Sequence, residues 1–237
     1  MKLSPQIKMK TMMFAALLAL GGGALLTAPQ AQAGPLSDLL LGEKAPESPH
    51  PGLWRHERVT PAPKPRAGQG PEIEPPAPLP PLDELLRLSA GTDAEGRARF
   101  ILAREPVEGR PGVEIAEFAA GSAGPMALYF LESVVRSMAE TSGGSPFYIR
   151  NRLREGFVAA DLGEALATAA PEGEVRAHRV EIRPFEKDPN RPRMGEFADL
   201  LLVFTITPEG RLLSLSADTP SAEGGYHERL TLTPEAP

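Results

Sequence analysis

Acidic and amide side chains alternate through Glu186-Lys187-Asp188-Pro189-Asn190-Arg191, the spacing with which an oxygen-lined loop surrounds a calcium ion. The match stops there. Arg191 occupies the sixth position, where such a loop turns on glycine, and Phe197 the twelfth, where a bidentate glutamate closes the site. Lys187, Arg191 and Arg193 would repel a cation, so the segment reads as a solvated hairpin loop. Its acids retain one other chemical use. Glu186, Asp188 and Glu196, with arginines orienting an acidic substrate, are the residues an envelope glycan or peptidoglycan hydrolase or lyase would draw on, and that is the alternative to the binding function reached below.

The remaining reactive side chains offer less. His50, His56, His178 and His227 contain no pair at the i, i+4 spacing of a zinc helix. The chain has no cysteine, which removes thiol catalysis, disulfides and thiolate metal sites together. In Gly121-Ser122-Ala123-Gly124 the preceding Ala120 stands where a nucleophile elbow needs glycine, and Ser-x-x-Lys does not occur. Glu132-Ser133 resembles the helix-borne glutamate and serine of lytic transglycosylases, over those two residues. The Gly-Leu-Met-Gln that follows in that family is absent, and the helical wheel sets Glu132 on a polar face beside Arg136, a poor place for a general acid. Arg150 and Arg154 fall on one flank of the stripe Ile149, Leu153 and Phe157, and Arg152 on the other. Arginines straddling a stripe lay their stems along it and keep their heads in water. No metal and no cofactor is expected.

Trp54, the only tryptophan, stands in Gly52-Leu53-Trp54-Arg55-His56-Glu57-Arg58-Val59, an island inside a proline-rich stretch. Two readings are open. Trp54 enters a partner's pocket with Arg55 and Arg58 on the rim, as aromatic anchors do, or it folds back onto its own domain, the commoner fate of an indole. The binding candidates from sequence are therefore Trp54, Arg55, Arg58, Glu186, Asp188 and Asn190.

The segments that must position these residues begin with one destined for removal. Lys2, Lys8 and Lys10 precede an apolar run from Thr11 to Ala28, with no acidic residue before Asp38, and Ala31 and Ala33 form a small-residue cleavage pattern. This predicts a signal peptide over 1–33, cut after Ala33, and a periplasmic product without a membrane span. Cleavage takes three of the 25 Lys and Arg and none of the 31 Asp and Glu, so the formal charge moves from −6 to −9. Such a balance argues against nucleic acid or an anionic membrane as partner and leaves an envelope protein or peptidoglycan.

Prolines crowd 43–82, in runs such as Pro75-Pro76-Ala77-Pro78-Leu79-Pro80-Pro81, so residues 34–82 read as a largely disordered extension. Residues 83–237 read as one α+β domain, a mainly antiparallel sheet with two helices packed on one face. Periodicity predicts helices at 82–90, 126–140 and 146–157, the last started by Ser145 and Pro146. Strands are predicted at 98–104, 113–118, 176–185, 197–207, 211–217 and 225–233, with a hairpin at Pro208-Glu209-Gly210. The function expected from this pattern is a non-catalytic binding or adaptor domain that contacts another envelope component through its domain and its proline-rich arm.

Overall fold

The computed structural model describes residues 34–41, 50–61, 80–120, 124–220 and 225–234. The predicted signal segment and the proline runs at 62–79 lie outside the described residues. Nine strands form a single antiparallel sheet in the order β4-β3-β2-β1-β9-β8-β7-β6-β5. They are β1 (Gly52–Val59), β2 (Leu82–Thr92), β3 (Ala98–Arg104), β4 (Val113–Ala119), β5 (Ala165–Ala170), β6 (Gly173–Ile182), β7 (Leu201–Ile206), β8 (Leu212–Asp218) and β9 (His227–Thr233). The helices are α1 (Pro35–Leu41), α2 (Pro125–Ser142) and α3 (Pro146–Val158). The α+β architecture expected from sequence is the one observed.

The order resolves into two meanders, β1 to β4 and β5 to β9, joined along a seam where β1 lies antiparallel to β9. Between the meanders the chain must travel from one edge of the sheet, β4, to the other, β5. Nine strands about 4.8 Å apart span roughly 38 Å, and an 18-residue helix such as α2 covers about 27 Å. The crossover is therefore long enough to roof the sheet, which is why α2 and α3 belong to one face. Phe130, Val134 and Met138 of α2 and Ile149, Leu153 and Phe157 of α3 are buried in the same core as Leu202, Phe204 and Leu215. Phe204 takes Phe130 and Phe157 edge-on at 6.4 and 5.5 Å between centroids. Each such aromatic stabilises the fold by roughly 1.5–3 kcal/mol through burial.

Local sequence explains where the helices begin and end. Pro125 and Pro146 open α2 and α3 at the position where a missing N–H costs nothing. Gly143 stops α2 at φ 71°, in the left-handed region that spares glycine alone, and its N–H returns to the Ala139 carbonyl at 2.9 Å. Gly34 lets the chain entering α1 meet the end of α3: a Cβ there would stand 1.9 Å from the Val158 carbonyl oxygen. Among the described residues no helix is long and apolar enough to cross a membrane.

Several expectations need correcting. Residues 82–90, predicted as a helix, form β2, because Glu84, Leu86 and Leu88 alternate toward the helices while Leu85 faces outward. The four leucines also fit a helical stripe, and pairing with β1 and β3 decided between the two periods. The stretch 34–82 holds a helix, α1, and a central strand, β1, so the packed domain does not begin at 83. Arg58 pairs with Leu82 across β1 and β2, so the described chain on the two sides of the proline runs is anchored at neighbouring points of the sheet. Finally, β5 carried no strand signal in its alanine-rich sequence, and β7 starts at Leu201 because Gly195–Asp199 is a 3-10 turn.

Trp54 is 3 % exposed, facing the helices from β1 beside Leu86 and Leu232. Trp54→Ala should destabilise the protein by about 3–5 kcal/mol in urea unfolding. The wild-type tryptophan emission should be blue-shifted when native and move red on unfolding, and a red native maximum would place the indole in water and contradict this packing.

Candidate functional site

Strand alternation sends Trp54, His56 and Arg58 to the helix face of β1 and Arg55 to the opposite face, so the suspected docking island is split between two sides of the sheet. Trp54 is core. Arg55 grips Asp83 through Nε and Nη2 at 3.1 and 2.6 Å on the exposed side. Arg58 donates to Ser133 Oγ on α2 at 3.1 Å. These three residues form no common surface.

Beneath α2, around the seam, lies a polar cluster that sequence reasoning missed. His56 is 1 % exposed and has a carboxylate at each ring nitrogen: Glu84 Oε1 at 3.3 Å from Nδ1, and Glu228 Oε1 at 2.9 Å from Nε2. Glu228 is fully buried, and its other oxygen accepts from the Tyr226 hydroxyl. Tyr129 of α2 meets the imidazole edge-on, its hydroxyl 3.4 Å from Nδ1. Arg104 Nη1 stands 3.7 Å from Glu84 Oε2. Burial works against a charged imidazole, but the hydrogen bonds and charges of Glu228 and Glu84 outweigh it and hold the His56 pKa above 6.5. The bond from His56 holds the Glu84 carboxyl below its usual 4.5 against the effect of burial. Burial, with Glu84 and Glu228 nearby, pushes the Tyr129 hydroxyl up to about 12.

An imidazolium donating both N–H groups to carboxylates has no free nitrogen with which to take a proton or bind a metal. The cluster thus clamps β2, β1 and β9 to each other and to α2. No local motif could have revealed it, since His56 and Glu228 are 172 residues apart and only the strand pairing brings them together.

The loop singled out by its alternating acids is also divided. Glu186 is exposed. Asp188 is buried, and its carboxylate accepts from the Tyr148 hydroxyl at 2.7 and 2.8 Å and from the Asn190 backbone N–H at 2.7 Å, with Arg152 Nε at 2.8 Å. Arg152 thus does more than keep its head in water. Asp199 pairs with Arg191, and Glu132 pairs bidentately with Arg150 at 2.5 and 2.8 Å where Arg136 was expected. The bond from Arg150 holds the Glu132 pKa down despite partial burial, the reverse of what a general acid needs. Among the described residues no three histidine or acidic side chains converge as metal ligands.

Anchoring of Asp188 places Asn190 at a cleft of about 370 Å³ between the α2–α3 corner and the 190–194 loop. Met138, Ile149 and Met194 give it apolar walls, and Ser145, Tyr148, Asn190 and Arg193 give it polar ones. Arg193 is exposed, and Phe147, next to Tyr148 in α3, is 70 % exposed, the most open large apolar side chain among the described residues. Comparison with known proteins adds no parallel: no family model, curated protein or solved structure matches this chain.

Two outcomes follow from the buried groups. His56, whose pKa rises on folding, contributes stability that is complete below 6.5 and fades as pH climbs through its raised value. Glu84, whose pKa falls, contributes stability that is complete above 4.5 and fades as pH drops through its lowered value. Their joint contribution should be greatest between pH 4.5 and 6.5, and His56→Gln should lower stability by about 3–5 kcal/mol and remove the alkaline decline. Parallel stability–pH curves for variant and wild type would show that His56 is not charged in the fold. Asp188→Asn should cost roughly 2–4 kcal/mol in the same assay, because charge-assisted bonds from Tyr148 and Arg152 are lost.

Proposed function

We propose that this protein is an exported, non-catalytic binding domain of a cell envelope, acting in the periplasm, which takes its ligand in the cleft at the α2–α3 corner. The observation that carries this reading is the cleft itself. It combines apolar walls from Met138, Ile149 and Met194 with polar groups at Asn190 and Arg193, next to an exposed Phe147. Phe147, the chain neighbour of the cleft-lining Tyr148, is exposed at a cost in solubility that a partner's surface would offset.

The chemistry of the walls favours one class of ligand. An aliphatic or aromatic group would lie on the methionines and Ile149 while a carboxylate or carbonyl next to it met Arg193 or the Asn190 amide. A peptide segment of an envelope protein, or the peptide part of peptidoglycan, has both features. Binding is favoured over hydrolysis because three of the acids in and around this loop are held by other side chains: Asp188 by Tyr148 and Arg152, Glu132 by Arg150, and Asp199 by Arg191. A glycosidase needs two carboxyl groups free to reach one glycosidic bond.

The test is a photoreactive phenylalanine analogue in place of Phe147, irradiated in cells, with the same group at exposed Val107 as control. Discrete adducts to one envelope protein or to peptidoglycan fragments are expected at 147 and not at 107, and Met194→Lys in the cleft should suppress them. Equal, diffuse labelling at both positions, or adducts indifferent to Met194→Lys, would remove the cleft as the site.

A further inference from the structure

A nine-stranded open sheet has two edges, and in this protein they differ in character. At β4, Val-Glu-Ile-Ala-Glu-Phe-Ala, exposed Glu114 and Glu117 guard the strand, a common defence against pairing with another chain. At β5, Ala-Leu-Ala-Thr-Ala-Ala, there is no charge and no proline, and Leu166 is 60 % exposed. Ala170 closes the two-residue turn Pro171-Glu172 opposite Gly173. Counting back by twos, the backbone groups of Thr168 and Leu166 face β6, and those of Ala169, Ala167 and Ala165 face outward. The Arg176 guanidinium covers the Ala165 carbonyl. Ala167 and Ala169 present N–H and C=O groups that find no strand partner among the described residues.

We propose that this edge pairs with the β5 edge of a second copy of the chain, antiparallel about a two-fold axis, so that two sheets become one. A second copy is the occupant the charges select. With the axis at Ala167, Ala165 faces Ala169, Leu166 faces Thr168 and Glu164 faces Ala170, so no like charges lie directly opposite within the paired strands, and Arg176 has to release the Ala165 carbonyl for the Ala169 N–H of the second copy to take its place. The same operation at β4 would crowd Glu114 and Glu117 of both copies together. A β5-on-β4 contact would be head-to-tail and would not close, whereas the β5 pair consumes both unguarded edges and leaves only acidic ones outside. Six residues a side make a small interface, so the dimer is weak and depends on concentration.

Because the chain lacks cysteine, Ala167→Cys introduces a lone thiol. Two such thiols across an antiparallel pair would have Cα atoms about 5.5 Å apart, within disulfide range, so oxidation should give a disulfide dimer about tenfold faster than for Ala119→Cys on β4. Sedimentation of the protein without these cysteines should show a concentration-dependent dimer that Leu166→Lys abolishes with the circular dichroism unchanged. Equal cross-linking at 167 and 119, a monomer at all concentrations to about 1 mM, or a dimer untouched by Leu166→Lys would each overturn the proposal. So would labelling of the edge in cells by a different protein in place of a second copy.

Discussion

The pairing of β1 with β9 is the constraint on which the rest of this structure depends. Without it the protein is two separate meanders, each with an uncovered edge at the point where the other now lies. The seam is non-local and entropically costly to close, since its partners come from opposite ends of the described chain. It is also where ionisable groups are buried most deeply. His56, held between Glu84 and Glu228, ties the seam to β2, and Tyr129 and Ser133 tie it to α2. A buried imidazolium is tolerable here because each of its donors meets a carboxylate. Slipping β1 by one residue would turn His56 and Trp54 to the opposite face and deprive both glutamates of the imidazole between them, so the cluster fixes register as well as adhesion.

Closure of the seam sets the course of the helices. With β4 and β5 at opposite edges, the chain between them has to cross the sheet, and α2 and α3 do so over the face that carries Trp54, Leu86, Phe204 and Leu215. The corner where they meet, at Gly143 and Gly144, is where the roof is open, and the 190–194 loop forms the other wall. Asp188 is spent on securing that wall. A carboxylate that looked reactive in the sequence proves to be the anchor that lets Asn190, Arg193 and Met194 line a cleft.

Several elements were legible because their signals are local. Pro125, Pro146, Ser145 and Gly143 mark helix ends that short-range sterics dictate, and Pro208-Glu209-Gly210 marks a hairpin for the same reason. Leu202, Phe204 and Ile206 alternate with an interior strand's regularity. Illegible elements had two valid local readings or none. Leu82 to Ala90 fits helical and strand periods alike, Ala165 to Ala170 has little side-chain pattern, and Gly52 to Val59 was masked by the prolines on either side.

By itself, then, the sequence determined the α+β class, the two long helices and most strands of the second meander, all properties of neighbours along the chain. It also excluded thiol chemistry, since no tertiary arrangement can supply a residue type the chain lacks. Tertiary structure alone decided that Trp54 is core, that the strands on either side of the proline-rich stretch pair with each other, that Glu132 meets Arg150, and that His56 meets Glu228 across 172 residues. The physical reason is that hydrogen bonds and ion pairs act over a few ångströms of space, whereas sequence order records which residues are bonded in series and leaves open which strands will lie side by side.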